Sequence, residues 1–339
     1  MLMYLIPLVW IILILANIKI LKNPRDTGFT KEQSLALRGI SAVEIMLGHI
    51  SMYGDSTALF VFRKSGILFV GIFFALSGYG LAYSIKERAG YLKGFVLKKI
   101  LILLIPAFFA YLISLAGLAV QYSYRVFDEL QRPWMFPLSV NWFIWELLGF
   151  YLVTYICARV GDLRKTHIAV LICGLVFIVI AFLAKLENPW YGSTLCFWLG
   201  IVYYEYREEL CRIWLDKRNL ATVIVLGIVC LGSAAGFMLL GDGFLGNVIL
   251  RNLASVSFVA ALMLILPYVK VENPVSRWLG TISFEIYLLH VSVVTLFEYL
   301  IKDIFVSSIV SIAMTIVLAY IFMYITKLIK KLINKGEKK

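Results

Sequence analysis

Apolar positions in this 339-residue chain do not alternate with polar ones; they run on. Eleven apolar segments stand out, over 3–21, 38–53, 66–85, 100–120, 141–160, 166–184, 191–206, 220–240, 245–269, 278–301 and 305–329. At about 1.5 Å of helix rise per residue, segments of about 20 residues are long enough to cross a hydrocarbon core about 30 Å thick. A helix satisfies its own backbone hydrogen bonds within one segment, as a spanning element must. Strands of a membrane barrel are shorter and alternate in polarity, which these runs do not. The pattern therefore predicts an all-α, polytopic transmembrane helix bundle of about 10–11 helices. The second and seventh segments are the shortest of the set.

One segment departs from its own pattern. The stretch Leu37–Ile50 is apolar enough to enter a bilayer, yet it holds Arg38, Glu44 and His49. Arg38 and His49 are eleven positions apart, which at 100° per residue places them within about 20° of one helix face and about 16 Å apart along the axis. Glu44 falls about 120° off that face, which suits a different helix contact. Ionisable side chains inside a membrane are costly and are functional hypotheses by default. Counting rise from the segment ends puts His49, Ser77 and His290 at a common depth, about 16–18 Å in. Tyr287 lies close to His290, and Glu285 nearer the start of the same segment. Glu146 and Arg251 lie about 8–9 Å below the opposite surface, where they either pair or meet a polar acceptor.

Composition agrees with this reading and charge refines it. The chain is 62% hydrophobic and only 15% charged, against about 25% charged in a soluble domain. A net charge of +12 invites a nucleic-acid partner until the charges are placed. Lys19, Lys22 and Arg25 follow the first apolar run, which predicts an external N-terminus and a cytoplasmic C-terminus. Alternating from there, all but seven of the 32 basic residues fall on the cytoplasmic side; the exceptions are Arg63, Lys64, Arg125, Arg132, Lys185, Arg251 and Lys302. The positive-inside rule thus accounts for the basicity, and no nucleic acid is needed. The longest external loop, 121–140, carries Pro133-Trp134-Met135-Phe136-Pro137 and either folds over an acceptor or anchors at the headgroups. Five scattered cysteines and three well-separated histidines form no metal-ligand pattern, so no metal is expected.

A neutral imidazole near mid-membrane is suited to act as a general base, or to carry an acyl group briefly. A guanidinium at the cytoplasmic mouth is suited to a phosphate or pyrophosphate. Small residues around Gly71, Ala75, Ser77 and Gly78 allow close helix approach, so Ser77 has either a packing role or a direct one.

Four stretches carry a family resemblance: Arg38-x10-His49, Phe73-Phe74-Ala75-Leu76-Ser77-Gly78-Tyr79, Trp142 with Phe150-Tyr151, and Leu279 to His290 through Tyr287-Leu288-Leu289. In this order, over about residues 35–325, the chain resembles the membrane-bound acyltransferases of the acyltransferase-3 family, which acylate cell-surface carbohydrates and related acceptors. The resemblance implies a core of about ten helices, a cytoplasmic acyl-CoA donor (usually acetyl-CoA) and an acceptor met at the external side. It implies catalysis by His49 and donor binding by Arg38. Two departures stand out. Residues 1–34 read as an additional N-terminal transmembrane helix with a cytoplasmic linker, ahead of an acyltransferase domain over 35–329 and a basic tail over 330–339. Leu147 and Leu148 occupy places where many relatives carry adjacent glutamates, which weakens a catalytic role for the neighbouring Glu146.

The sequence therefore predicts a multi-pass O-acyltransferase of the cell membrane. It would move an acyl group from cytoplasmic acyl-CoA to a hydroxyl of a cell-surface or lipid-linked carbohydrate. His49 would be catalytic and Arg38 would hold the donor. Ser77, Glu285, Tyr287, His290, Glu146 and Arg251 would line the substrate pocket. Two rivals remain: a transporter or flippase using buried His and Glu, and a non-enzymatic sensing module. The halves show no clear internal repeat, which counts against the first; a scaffold needs neither Arg38 nor His49, which counts against the second.

Overall fold

The helix Lys31–Tyr53 (α2) is the axis about which the other elements are arranged, and 78% of its membrane window is buried inside the protein. At the other extreme, Leu220–Leu240 is 17% buried, with Ile224, Val225, Ile228 and Leu231 facing outward. Apolar side chains facing outward along whole helices are what a lipid-contacting surface requires. The computed structural model describes residues 2–16, 18–21, 29–53, 57–121, 142–161, 163–214, 218–240 and 243–336. Among these, twelve α-helices form an all-α bundle, and nine helical spans are long and apolar enough to cross a membrane. The protein is a multi-pass membrane bundle. The outer loop over 122–141, with its Pro133–Pro137 stretch, and linker residues 22–28 lie outside the described residues.

In chain order the helices are α1 (Leu5–Leu15), α2, α3 (Phe60–Glu87), α4 (Phe95–Gln121), α5 (Trp142–Val160) and α6 (Leu163–Leu183). They continue as α7 (Leu195–Trp214), α8 (Arg218–Leu240), α9 (Arg251–Ile265), α10 (Pro274–Thr281), α11 (Ser283–Leu300) and α12 (Ile304–Gly336). Packed against α2 are α3, α10 and α11; α3 in turn meets α7 and α9, and α11 meets α4 and α12.

Four of the predicted segments change. The second reaches back to Lys31, so Arg38 sits two turns inside the helix. The seventh becomes α7, whose second half carries Glu205, Arg207, Glu208 and Glu209; it packs along α3 but is not apolar enough throughout to count as a span. The tenth is two helices, broken at Ile282 between α10 and α11. Asn273 caps α10 through a reciprocal bond pair with Ser276, and Pro274 occupies the first turn, so the helix start is encoded locally.

The first segment is helical only as a 3-10 turn, Leu2–Tyr4, followed by α1. The helix ends there, and a short strand follows. Lys19–Ile20 (β1) pairs antiparallel with Val269–Lys270 (β2) in a two-stranded ribbon, while Leu2–Tyr4 touches the turn Thr57–Leu59 at the other end of the bundle. Asn273 holds the junction by donating to the carbonyls of Leu13 and Ala16. Halfway along α1, Trp10 donates its indole N–H to the buried Glu44 carboxyl at 2.8 Å. The acid set apart from the Arg38 face thus serves a helix contact, as the wheel argument suggested.

Glycines set the depth of the central helices. A Cβ on Gly280 would overlap the Leu35 carbonyl, and one on Gly39 would overlap the Ser276 carbonyl. The α2–α10 crossing is therefore a backbone-to-backbone contact that leaves no room for a side chain. From this contact α2 and α11 run in parallel, and ten residues further on each chain stand His49 and His290, about 15 Å up the bundle. The same device recurs at α3–α7, where Cβ atoms on Gly78 and Gly200 would strike the carbonyls of Phe197 and Ala75.

Candidate active site

Both central histidines owe their position to that register. His49 Nδ1 lies 3.2 Å from His290 Nε2, with the rings edge to face at 4.8 Å. His49 Nδ1 also faces the Ile45 carbonyl at 3.0 Å. His290 Nδ1 faces the carbonyls of Ile286 and Tyr287 at 3.1 and 2.9 Å. Carbonyl oxygens only accept, so each Nδ1 is the N–H-bearing nitrogen of a neutral ring. It follows that His290 Nε2 accepts from His49 Nδ1–H. The lone pair of His49 is thereby placed on Nε2, the atom a base or nucleophile would use. His290 is 2% exposed and fixed by its own helix, whereas His49 is half-buried. One imidazole orients the other.

His49 and His290 line a cavity of about 870 Å³ between α2, α3, α4, α9, α11 and the 185–193 loop. That volume is of the size that holds a small-molecule substrate. Tyr287 and Arg251 line it too, as do Trp142, Trp190 and Ser193. Its wall residues come from the C-terminal end of α2 and the N-terminal part of α3, so it opens at the end of the bundle away from Arg38.

The remaining predicted pocket residues sit elsewhere. Ser77 is half-buried on α3, seven residues beyond the lining residue Val70. Glu285 is buried and accepts from the Thr326 hydroxyl, which ties α11 to α12. Glu146 is buried against Thr194, Cys196 and Tyr287, one turn below the cavity residue Trp142. Arg251 is on the wall, held by Nε donating to Asn247 Oδ1 at 3.2 Å and lying 4.8 Å over the Phe237 ring. Arg38 is half-buried about 16 Å down α2 from His49. It shares Tyr151 as an electrostatic neighbour with Lys99, whose Nζ stands 4.6 Å over that ring.

Sequence reasoning passed over Lys99, Trp190, Ser193 and the contact between the histidines. A signal for Lys99 existed, since it is the cation immediately before an apolar run, at the same end as Arg38. Ser193 and Trp190 carried none, because their placement depends on how the 185–193 loop folds over the bundle. Among the described residues no group of three His, Cys, Asp or Glu side chains is clustered as a metal site would need.

Against known protein families, residues 36–326 match the acyltransferase-3 family model, described as an acyltransferase domain. No curated protein and no solved structure gives a match.

Proposed function

The chain belongs to the acyltransferase-3 family, and from that premise we propose that it is a membrane O-acyltransferase that takes its acyl group from cytoplasmic acyl-CoA and delivers it to a hydroxyl of a cell-surface or lipid-linked carbohydrate. The membrane and acyltransferase parts of this statement follow from the fold and the family match. Donor, acceptor and sidedness are our reading. The observation that carries it is the His49–His290 pair on the wall of a cavity, with the cation Arg38 at the far end of the same helix face.

In this scheme Arg38 and Lys99 hold donor phosphates at the cytoplasmic end, Arg38 by a bidentate fork and Lys99 as a point charge. What the donor supplies is a thioester, an acyl carbon already activated for attack. The acceptor enters the cavity from the external end. His49 Nε2 removes the proton of the acceptor hydroxyl as its oxygen attacks the thioester carbonyl. Collapse of the tetrahedral carbon breaks the C–S bond, and the imidazolium returns its proton to the departing thiolate. His290 Nε2 keeps the His49 Nδ1–H bond throughout, so the ring neither rotates nor changes tautomer. A positioned general base of this kind contributes about 10²–10⁴-fold in rate.

Replacing His49 by Ala in a protein that still reaches the membrane at normal level should abolish acylation of surface glycans, measured by mass spectrometry in intact cells. Undiminished acylation would overturn the catalytic role.

A further inference from the structure

The cavity wall carries information about the acceptor, on the premise that the acyltransferase reading above is correct. The positive-inside rule leaves the outer end of a membrane bundle short of lysine and arginine. Five of the seven exceptions in this chain lie within the described residues, namely Arg63, Lys64, Lys185, Arg251 and Lys302; four of these five, all but Lys302, line this single cavity. They come from three separate parts of the chain: the start of α3, the loop after α6 and the start of α9. Glu187 is the one acidic side chain among the described lining residues. Arg63, Lys64 and Lys185 make no ion pair among the described residues.

Lys185 is held there against its backbone preference. Leu186 N–H bonds the Ala181 carbonyl and Lys185 N–H bonds the Phe182 carbonyl, each at 3.0 Å, which closes α6 as a Schellman motif. The motif needs a left-handed residue, and Lys185 has φ 56° where glycine would sit without strain. A strained non-glycine residue at a helix end points to a function for its side chain; here that side chain is a cation on the cavity wall. The rest of the wall suits a hydroxyl-rich chain. Trp142 and Trp190, with ring centres 6.5 Å apart, offer flat apolar faces. The Ser193 hydroxyl is buried and has no hydrogen-bond partner among the described residues.

We infer that the acceptor is an anionic, hydroxyl-rich chain bearing phosphate or carboxylate groups. One such group sits among Arg63, Lys64 and Lys185 while a neighbouring hydroxyl reaches His49. Charge complementarity of this kind sets specificity and capture rate more than raw affinity.

The test uses the full chain in nanodiscs of zwitterionic lipid, acetyl-CoA, and three acceptors of equal length: a neutral glucan oligosaccharide, an oligouronate and an oligo(glycerol phosphate). At least one anionic acceptor should show kcat/KM about tenfold above the neutral one, the worth of one modest contact. The advantage should shrink as salt rises. Lys185→Gly and Arg63→Gln should each remove most of it through KM, and Lys185→Gly should do so with no fall in melting temperature, since glycine fits the cap better. Comparing the two anionic arms separates carboxylate from phosphate. Equal kcat/KM on charged and neutral acceptors, or a preference the variants leave intact, overturns the inference and leaves the acyltransferase reading standing. No transfer to any acceptor, with salt-sensitive binding of a fluorescent anionic oligomer that both variants lose, overturns the acyltransferase reading alone. Neither transfer nor such binding overturns both.

Discussion

At the residue scale, the two histidines divide the labour. Two backbone carbonyls fix the His290 tautomer, and that leaves Nε2 to accept from His49. His290→Ala should therefore lower kcat by about 100-fold through loss of orientation. His290→Gln should recover part of that loss, because an amide oxygen can accept the same N–H. Steady-state kinetics on detergent-purified variants of matched melting temperature would decide; a wild-type rate in His290→Ala would rule out the positioning role. Glu44 shows the opposite use of a buried polar group. Its bond to Trp10 is structural and ties the N-terminal helix to the central one.

Elements are placed by close backbone approach more than by interlocking side chains. Gly39 and Gly280 let α2 and α10 touch, and the equal ten-residue spacing on both chains then brings His49 to His290. Gly280→Ala should push α10 away from Leu35, at a cost of roughly 1–3 kcal/mol of stability, and should also reduce turnover by spoiling the histidine register. Gly227→Ala is the control. Nothing stands within 4 Å of its added methyl, so helix propensity makes it neutral or slightly stabilising. Thermal unfolding followed in detergent would compare the two, and equal melting temperatures would show that the crossing tolerates a side chain.

For the whole molecule, sidedness is what gives the site a direction. Consecutive helices joined by short turns put Arg88 and Lys270 at one end, and Arg63 and Lys302 at the other. In a cysteine-free background, Arg63→Cys and Lys302→Cys should react with a membrane-impermeant maleimide on intact cells. Arg88→Cys and Lys270→Cys should react only after lysis. The reverse pattern would turn the cavity towards the cytoplasm and remove the external route for the acceptor.

Much of this protein was legible in one dimension. Continuous apolar runs identify a membrane bundle because a bilayer core demands about 20 residues of self-satisfied helix. Rise per residue alone places His49 and His290 at one depth, and the charge count alone marks seven misplaced cations, Arg63, Lys64, Lys185 and Arg251 among them. Depth, however, says nothing about azimuth. Only the tertiary structure decided that α11 is the neighbour of α2, that Ser77 and Glu285 stand off the cavity, and that four scattered cations share one wall. Helix length and polarity are set by the solvent each segment meets, which a sequence records locally. Which faces meet depends on small residues far apart in the chain, such as Gly39 and Gly280, whose meaning appears only once their backbones touch.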